Sequence, residues 1–330
     1  MESLPACGPE AQTRNPVVSG QSANEAGDEE ATVSFRDGLK TIVLATELDG
    51  QQEGALEYAR KLARAYGARM VLAYSVDPVD FAALDAAPGQ VLDGLTNTAR
   101  AALDKMAGEL LREGIHSHSE VRQATVAEML ADVARQYDGG LIVIGTKGRE
   151  GAGPVVVGAV AEQLVRIAPC PVLAVAADWN AGPHRPEPGG QVLLAMERNE
   201  AAGAAAATAY SLAETFRRPL LILHVRTAAE ASALMNPCET RLEELGVRPS
   251  GRVPVQCLVK DGTTVDAIMS AIEMHHPAIL VVGVKRTSGT PGPHGTAFGL
   301  LARSRVPVLC VPPEATQPAV AHEYSLAAGA

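Results

Sequence analysis

Two stretches of this 330-residue chain read alike. Ile42-Val-Leu-Ala-Thr-Glu47 is echoed by Val192-Leu-Leu-Ala-Met-Glu197, 150 residues on. Leu141-Ile-Val-Ile-Gly-Thr-Lys147 is echoed by Ile279-Leu-Val-Val-Gly-Val-Lys285 at an offset of 138. Cys170-Pro-Val-Leu-Ala-Val175 is echoed by Val306-Pro-Val-Leu-Cys-Val311 at an offset of 136. An offset that falls by 12 and then barely moves marks a tandem duplication. The second copy has lost residues between its second strand and its last strand–helix unit. Whatever one copy folds into, the other must closely follow.

Each copy alternates strand and helix signals. Thr41 to Ala45 is a short apolar run suited to a buried strand. Ala55, Leu56, Ala59, Leu62, Ala63 and Tyr66 recur at helical spacing, and Gly67 follows where a helix end wants a glycine. Met70–Val76 reads as a strand, Thr96–Leu111 as an amphipathic helix stopped by Gly114, and His116–Arg122 as a strand. Val126–Tyr137 is a helix, Leu141–Ile144 a strand, Val160–Ile167 a helix and Val172–Ala176 the last strand. This is the pattern of an α/β fold, a parallel sheet covered on both faces. Residues 1–36 are polar, acidic and rich in Gly, Ser, Asn and Pro, so a disordered N-terminal segment is expected. The boundaries that follow are a first domain at 37–178, a linker at 179–190, a second domain at 191–313 and a tail at 314–330.

Charge and cysteine usage remove several function classes. Lys plus Arg number 28 against 38 Asp plus Glu, a net charge of −10. A chain this acidic is a poor ligand for nucleic acid or an anionic membrane. No apolar run approaches the roughly 20 residues that span a bilayer. The opening MESLPACGPE lacks the basic and apolar pattern of a secretory signal, and its acids argue against a transit peptide. Five cysteines, with no C-x-x-C pair, fit the reducing cytoplasm, read as small buried hydrophobes and give no zinc site. His275 and His276 are adjacent and so face apart on a helix, while His116 and His118 fit a solvated strand edge. No P-loop, dinucleotide fingerprint, zinc-protease motif or nucleophile elbow occurs. Nothing pairs a nucleophile with a base, so no catalytic residue is assigned.

One loop carries recognisable chemistry. After the buried strand ending at Ile144 comes Gly145-Thr-Lys-Gly148-Arg-Glu-Gly-Ala-Gly-Pro-Val-Val-Val-Gly158-Ala159, which leads into a helix. Ligands in open α/β sheets sit beyond the carboxyl ends of strands. Glycines there let backbone N–H groups approach phosphate oxygens, and a helix N-terminus adds donors and positive potential. Lys147 and Arg149 would add full charges. Spacing alone leaves two readings open, an anion cradle or merely a tight strand-to-loop turn.

The spacing G-x2-G-x9-G, a helix, and then Ala168-Pro-Cys-Pro-Val-Leu-Ala-Val175 resemble the universal stress protein family. So does the opening strand with an acid at its end, followed by an Ala-Leu-x-x-Ala helix. The resemblance covers residues 38 to 178 strongly and 190 to 313 more weakly. It implies two tandem doubly wound domains, each a five-stranded parallel sheet with helices on both faces, of a kind that in some members binds ATP. It implies phosphate contacts at Gly145, Gly148 and Gly158, with Ala159 and Val160 at the helix start and Lys147 along the phosphates. Glu47, beyond Ala45 and Thr46, would lie beside ribose and adenine, and Ser75 would offer backbone to the base. The ligand so implied is ATP or a related adenine nucleotide, with Mg as an accompanying ion and at most slow incidental hydrolysis. Two departures stand out. Ala159 replaces the family's Ser or Thr, removing a hydroxyl–phosphate bond worth about 1.5–3 kcal/mol. Glu47 replaces Asp, and its extra methylene moves the carboxylate.

Copy two departs further, with Arg286 in place of the second glycine and, counting along, Thr296 in place of the third. Two prolines in its loop lack N–H donors. A degenerate, purely structural second domain is expected. The continuous apolar strands Pro171–Ala177 and Pro307–Pro312 would each leave a bare sheet edge, which invites pairing. Their mutual pairing across a pseudo-twofold axis would make one chain mimic a dimer, as family dimers associate. A homo-oligomer and an unidentified protein partner remain further expectations. The competing reading, favoured by Ala159 and Glu47, is a nucleotide-free interaction scaffold.

Overall fold

The structure, a computed structural model, describes residues 35, 39–48, 53–77, 88–146, 158–180, 185–197, 199–226, 238–285 and 295–313. The expected disordered segment, apart from Phe35, and the expected tail 314–330 lie outside the described residues. Copy one runs β1 (Thr41–Ala45), α1 (Glu53–Tyr66), β2 (Arg69–Ser75), α2 (Pro88–Arg112), β3 (Ser117–Arg122), α3 (Val126–Gln136), β4 (Leu141–Thr146), α4 (Ala159–Ile167) and β5 (Val172–Ala176). Copy two runs β6 (Val192–Met196), α5 (Ala202–Phe216), β7 (Leu220–Arg226), α6 (Cys238–Glu244), β8 (Val255–Asp261), α7 (Thr264–His275), β9 (Ile279–Gly283), α8 (Thr296–Arg303) and β10 (Val308–Val311).

All ten strands form one sheet in the order β3-β2-β1-β4-β5-β10-β9-β6-β7-β8. Each half is parallel and doubly wound, and the halves meet where β5 and β10 run antiparallel, with Leu173 opposite Leu309. The register carries the duplication into space. Ile42 lies opposite Met70 and Leu141, and Val192 lies opposite Leu220 and Ile279, which keeps the sequence offsets of 150 and 138. Met70 and Leu220 in turn face Ser117 and Val255, so the 12 lost residues fall between the second and third strands. There copy one has the 25-residue α2 and copy two the seven-residue α6.

The inner strands β1, β5, β6 and β10 are buried on both faces, hence their near-continuous apolar runs. The outer strand β3 is largely polar and β8 mixes apolar with polar residues, and both are partly exposed at the sheet edges. One apolar layer joins α1, α2 and α5 to one face across both copies, and a second joins α3, α4, α7 and α8 to the other. Gly67 and Gly114, at φ +66° and +79°, end the preceding helices in the left-handed conformation that glycine adopts without strain. Phe35 packs edge-on against Tyr66 at 5.8 Å and belongs to the first layer, so ordered packing begins at least that early.

The segment between the copies is docked rather than loose over its described part. Trp179, the chain's one tryptophan, is 3 % exposed and lies edge-on to Tyr58 at 5.9 Å. It sits flush on the first turn of α1, where a Cβ on Gly54 would come within 2.3 Å of its Nε1. Arg185 stacks over the same ring at 4.5 Å and pairs with Glu57 at 2.6 Å. The Tyr58 hydroxyl donates across the copies to the Ala278 carbonyl at 2.6 Å, and Arg305 pairs with Asp178 at 3.1 Å. Burial and the neighbouring Glu57 carboxylate hold the Tyr58 phenol protonated far into alkaline conditions.

Cys170 and Cys310 are buried free thiols, each pushed up to about 12 by burial. Cys257 departs from the expectation of a buried hydrophobe, being exposed on the edge strand β8 and disulfide-bonded. No described helix is long and apolar enough to cross a membrane.

Two outcomes follow from this packing. Gly54→Ala destabilises by about 1–3 kcal/mol through overpacking, and most of that cost disappears in a Trp179→Ala background, as a double-mutant cycle in urea will read; additive effects would contradict the contact. The two thiols stay protonated in the folded chain but ionise from about pH 9 once unfolded, so stability falls as pH rises through that value. Replacing both with Ala makes the fall in stability between about pH 9 and 10 shallower, leaving the part that comes from the unfolded Tyr58 phenol ionising near 10; an unchanged slope would contradict it.

Candidate functional site

In copy one the strand order reverses direction between β1 and β4, the switch point at which parallel sheets leave a crevice. A cleft of about 650 Å³ opens there, at the carboxyl ends of β1, β2 and β4 and the amino ends of α3 and α4. It gathers Ala45, Thr46, Glu47, Ser75, Gly145, Gly158, Ala159 and Val160. The other two residues assigned from the resemblance, Lys147 and Gly148, lie outside the described residues.

Each of the eight has a defined place. Thr46 is 5 % exposed, and both its N–H and its hydroxyl donate to the Ala73 carbonyl, at 2.8 and 3.0 Å. Ser75 Oγ donates to the Ala124 carbonyl, tying β2 to the residues before α3. Both hydroxyl protons are thus committed to framing the cleft. Glu47 stands exposed at the mouth, one residue beyond Thr46. Gly145 differs from expectation, because β4 continues through it. Gly145 and Thr146 pair with Val175 and Ala176, so the strand runs on at least to Thr146.

The start of α4 supplies the donors. Gly158 is its N-cap and no side chain caps it. The first intrahelical bond runs from the Glu162 N–H to the Gly158 carbonyl, which leaves the N–H groups of Ala159, Val160 and Ala161 ahead of the helix ladder. Gly158 has φ −56°, and a Cβ there would meet nothing within 4 Å among the described residues. The fold does not demand glycine at that point; the open space beside it faces the cleft.

Sequence reasoning missed the apolar wall. Tyr74, Val126, Met129, Ile144 and Ala177 also line the cleft. Val126 and Met129 were findable, since the first turn of every helix in such a sheet starts at the same rim. Among the described residues no group of three or more His, Cys, Asp or Glu could hold a metal.

Copy two uses its corresponding place differently. Gly283 is the register equivalent of Gly145, and Asn199 lies against it. The Asn199 amide donates to Glu197 at 3.3 Å and its oxygen accepts from the Ala201 N–H at 2.9 Å. A Cβ on Gly283 would meet Ala201 Cβ at 3.1 Å and Asn199 Oδ1 at 3.2 Å, so little space remains there. Counting residues put Thr296 in the third-glycine position, but Gly295 is the N-cap of α8, as Gly158 is of α4. The missing residue falls in the intervening loop, and Thr296 stands where copy one has Ala159. Arg286 lies outside the described residues.

Comparison with known proteins agrees with this architecture. Residues 38–176 match the model of the universal stress protein family. A universal stress protein of Methanocaldococcus jannaschii is 30 % identical over 138 residues, which is 41 % of this chain and 81 % of the relative. One from Thermus aquaticus is 28 % identical over 138 residues, covering 42 % of this chain and 98 % of its own length. The solved structure of a universal stress protein from Archaeoglobus fulgidus superposes over 83 % of this chain and 98 % of its own, with TM-score 0.65 at 17 % identity, a likeness of fold. With that match in sequence and this arrangement of strands, the chain belongs to the universal stress protein family.

Proposed function

We propose that the cleft of copy one binds ATP or a related adenine nucleotide, and that the protein serves a stress-response or regulatory role through that binding. The observation that carries the reading is the convergence at one switch-point crevice of eight residues assigned from separate parts of the sequence. The volume suits a nucleotide-sized ligand. The start of α4, with no side-chain cap among the described residues, suits a phosphate; that Lys147 adds charge there is what the family resemblance implies. The apolar wall of Val126, Met129 and Ala177 suits a base, and Glu47 at the mouth suits ribose hydroxyls. Mg enters this reading only as the counter-ion of the phosphates, and no catalytic step is assigned.

In the same reading copy two is the structural half of an intramolecular pseudo-dimer. Asn199 against Gly283 supports its being nucleotide-free, and the β5–β10 contact supports the pairing. A cytoplasmic setting, and a protein partner that responds to the bound state, belong to this proposal. The second reading, a nucleotide-free scaffold, is favoured by the two committed hydroxyls and by Ala159, which leave backbone groups as the phosphate donors among the described lining residues.

Gly158→Leu separates the two readings. Its side chain enters open space without backbone strain, so thermal stability stays close to wild type while calorimetric ATP binding falls at least tenfold. Equal binding by both proteins, or no heat from either, removes the nucleotide reading. Ala159→Ser restores the hydroxyl at the helix start and tightens ATP binding by about tenfold or more, as about 1.5–3 kcal/mol implies. Unchanged affinity would show that α4 does not face the phosphates.

A further inference from the structure

A second concavity lies away from the cleft, on the outer face of α1. It holds about 540 Å³ between α1, Glu113 just past α2 and the segment joining the copies. Glu57, Arg60, Lys61, Arg64, Glu113 and Arg185 line it, together with Glu187 and Pro188. Four cations face three carboxylates, so the groove is locally positive in a chain of net charge −10.

The pairing inside the groove is uneven. Arg64 holds Glu113 at 2.8 Å and Arg185 holds Glu57 at 2.6 Å, so two of the carboxylates are engaged by close partners. Arg60 reaches Glu113 only at 3.5 Å, and its Nε is buried with no acceptor among the described residues. Lys61, exposed beside it, makes no ion pair among the described residues. A buried guanidinium N–H without an acceptor is costly and marks a place for an oxygen. Three arginines around one hollow offer planar forks of the kind that fit phosphate oxygens.

We infer that this groove is a second ligand site, taking the phosphate group of a small anionic molecule between Arg60, Lys61 and the neighbouring guanidinium groups. The site is independent of the cleft and of the nucleotide reading. It is built partly from the segment joining the copies, and Arg185 connects it to the core by stacking on the buried Trp179. An anion that draws Arg185 away from that ring changes the environment of the chain's one tryptophan.

Titration of the full chain with tripolyphosphate tests the site, followed by calorimetry and tryptophan emission. A saturable site that changes tryptophan emission is expected, with a heat of the same midpoint, whether or not the cleft takes the probe as well. Lys61→Ala and Arg60→Gln each weaken it about tenfold, in line with loss of one charge-assisted contact. Lys61 is exposed, so its variant keeps the fold even if Arg60→Gln does not. Gly158→Leu leaves the affinity unchanged. The inference fails if no saturable heat appears, if Lys61→Ala binds like wild type, if emission stays flat while heat saturates, or if Gly158→Leu abolishes the signal. The last result would put the anion in the cleft instead.

Discussion

The antiparallel contact between β5 and β10 determines where the rest of the molecule stands. Each is the apolar last strand of its copy, and alone each would present a row of unpaired backbone groups at a hydrophobic sheet edge. Joined, they turn two five-stranded sheets into one of ten, with partly exposed strands at both outer edges. Both helix layers become continuous across the copies as a result. The contact also points the carboxyl rims of the two halves in opposite directions, because the halves are related by reversal of strand sense.

Around that seam the copies have diverged in ways that answer to local physics. Copy one keeps an open crevice at its switch point, and its hydroxyls hold the frame. In copy two Asn199 lies against the matching glycine, and a helix of seven residues stands where copy one has one of 25. The core strands change residue by residue but stay apolar, because they bury both faces. The change in length falls in the outer part of the fold, between the second and third strands, where it costs little packing.

Much of this was legible in the sequence. Alternating strand and helix periods, and the internal echo, fix a duplicated parallel α/β fold, since few other arrangements bury strands that are apolar on both faces. The rim residues Thr46, Ser75 and Gly158 were legible because strand ends and glycines mark the carboxyl edge. Other features depend on contacts that no local pattern encodes. That Gly54 is small because Trp179 lies on it links positions 125 residues apart. The Pro- and Gly-rich composition of 179–190 reads as a linker, yet its Trp and Arg bind it to α1. The engagement of Thr46 and Ser75 by backbone carbonyls, and the alignment of Gly295 with Gly158 at helix starts, emerge only once strands and helices are placed.

Native mass spectrometry of the purified full-length chain tests the central claim most directly, because it counts bound ligands. The account predicts a population heavier by the mass of a single adenine nucleotide, either as isolated or after incubation with ATP. Two nucleotides per chain would contradict the purely structural role proposed for copy two. A spectrum holding only the unliganded mass, with ATP in large excess, would contradict the nucleotide cleft itself.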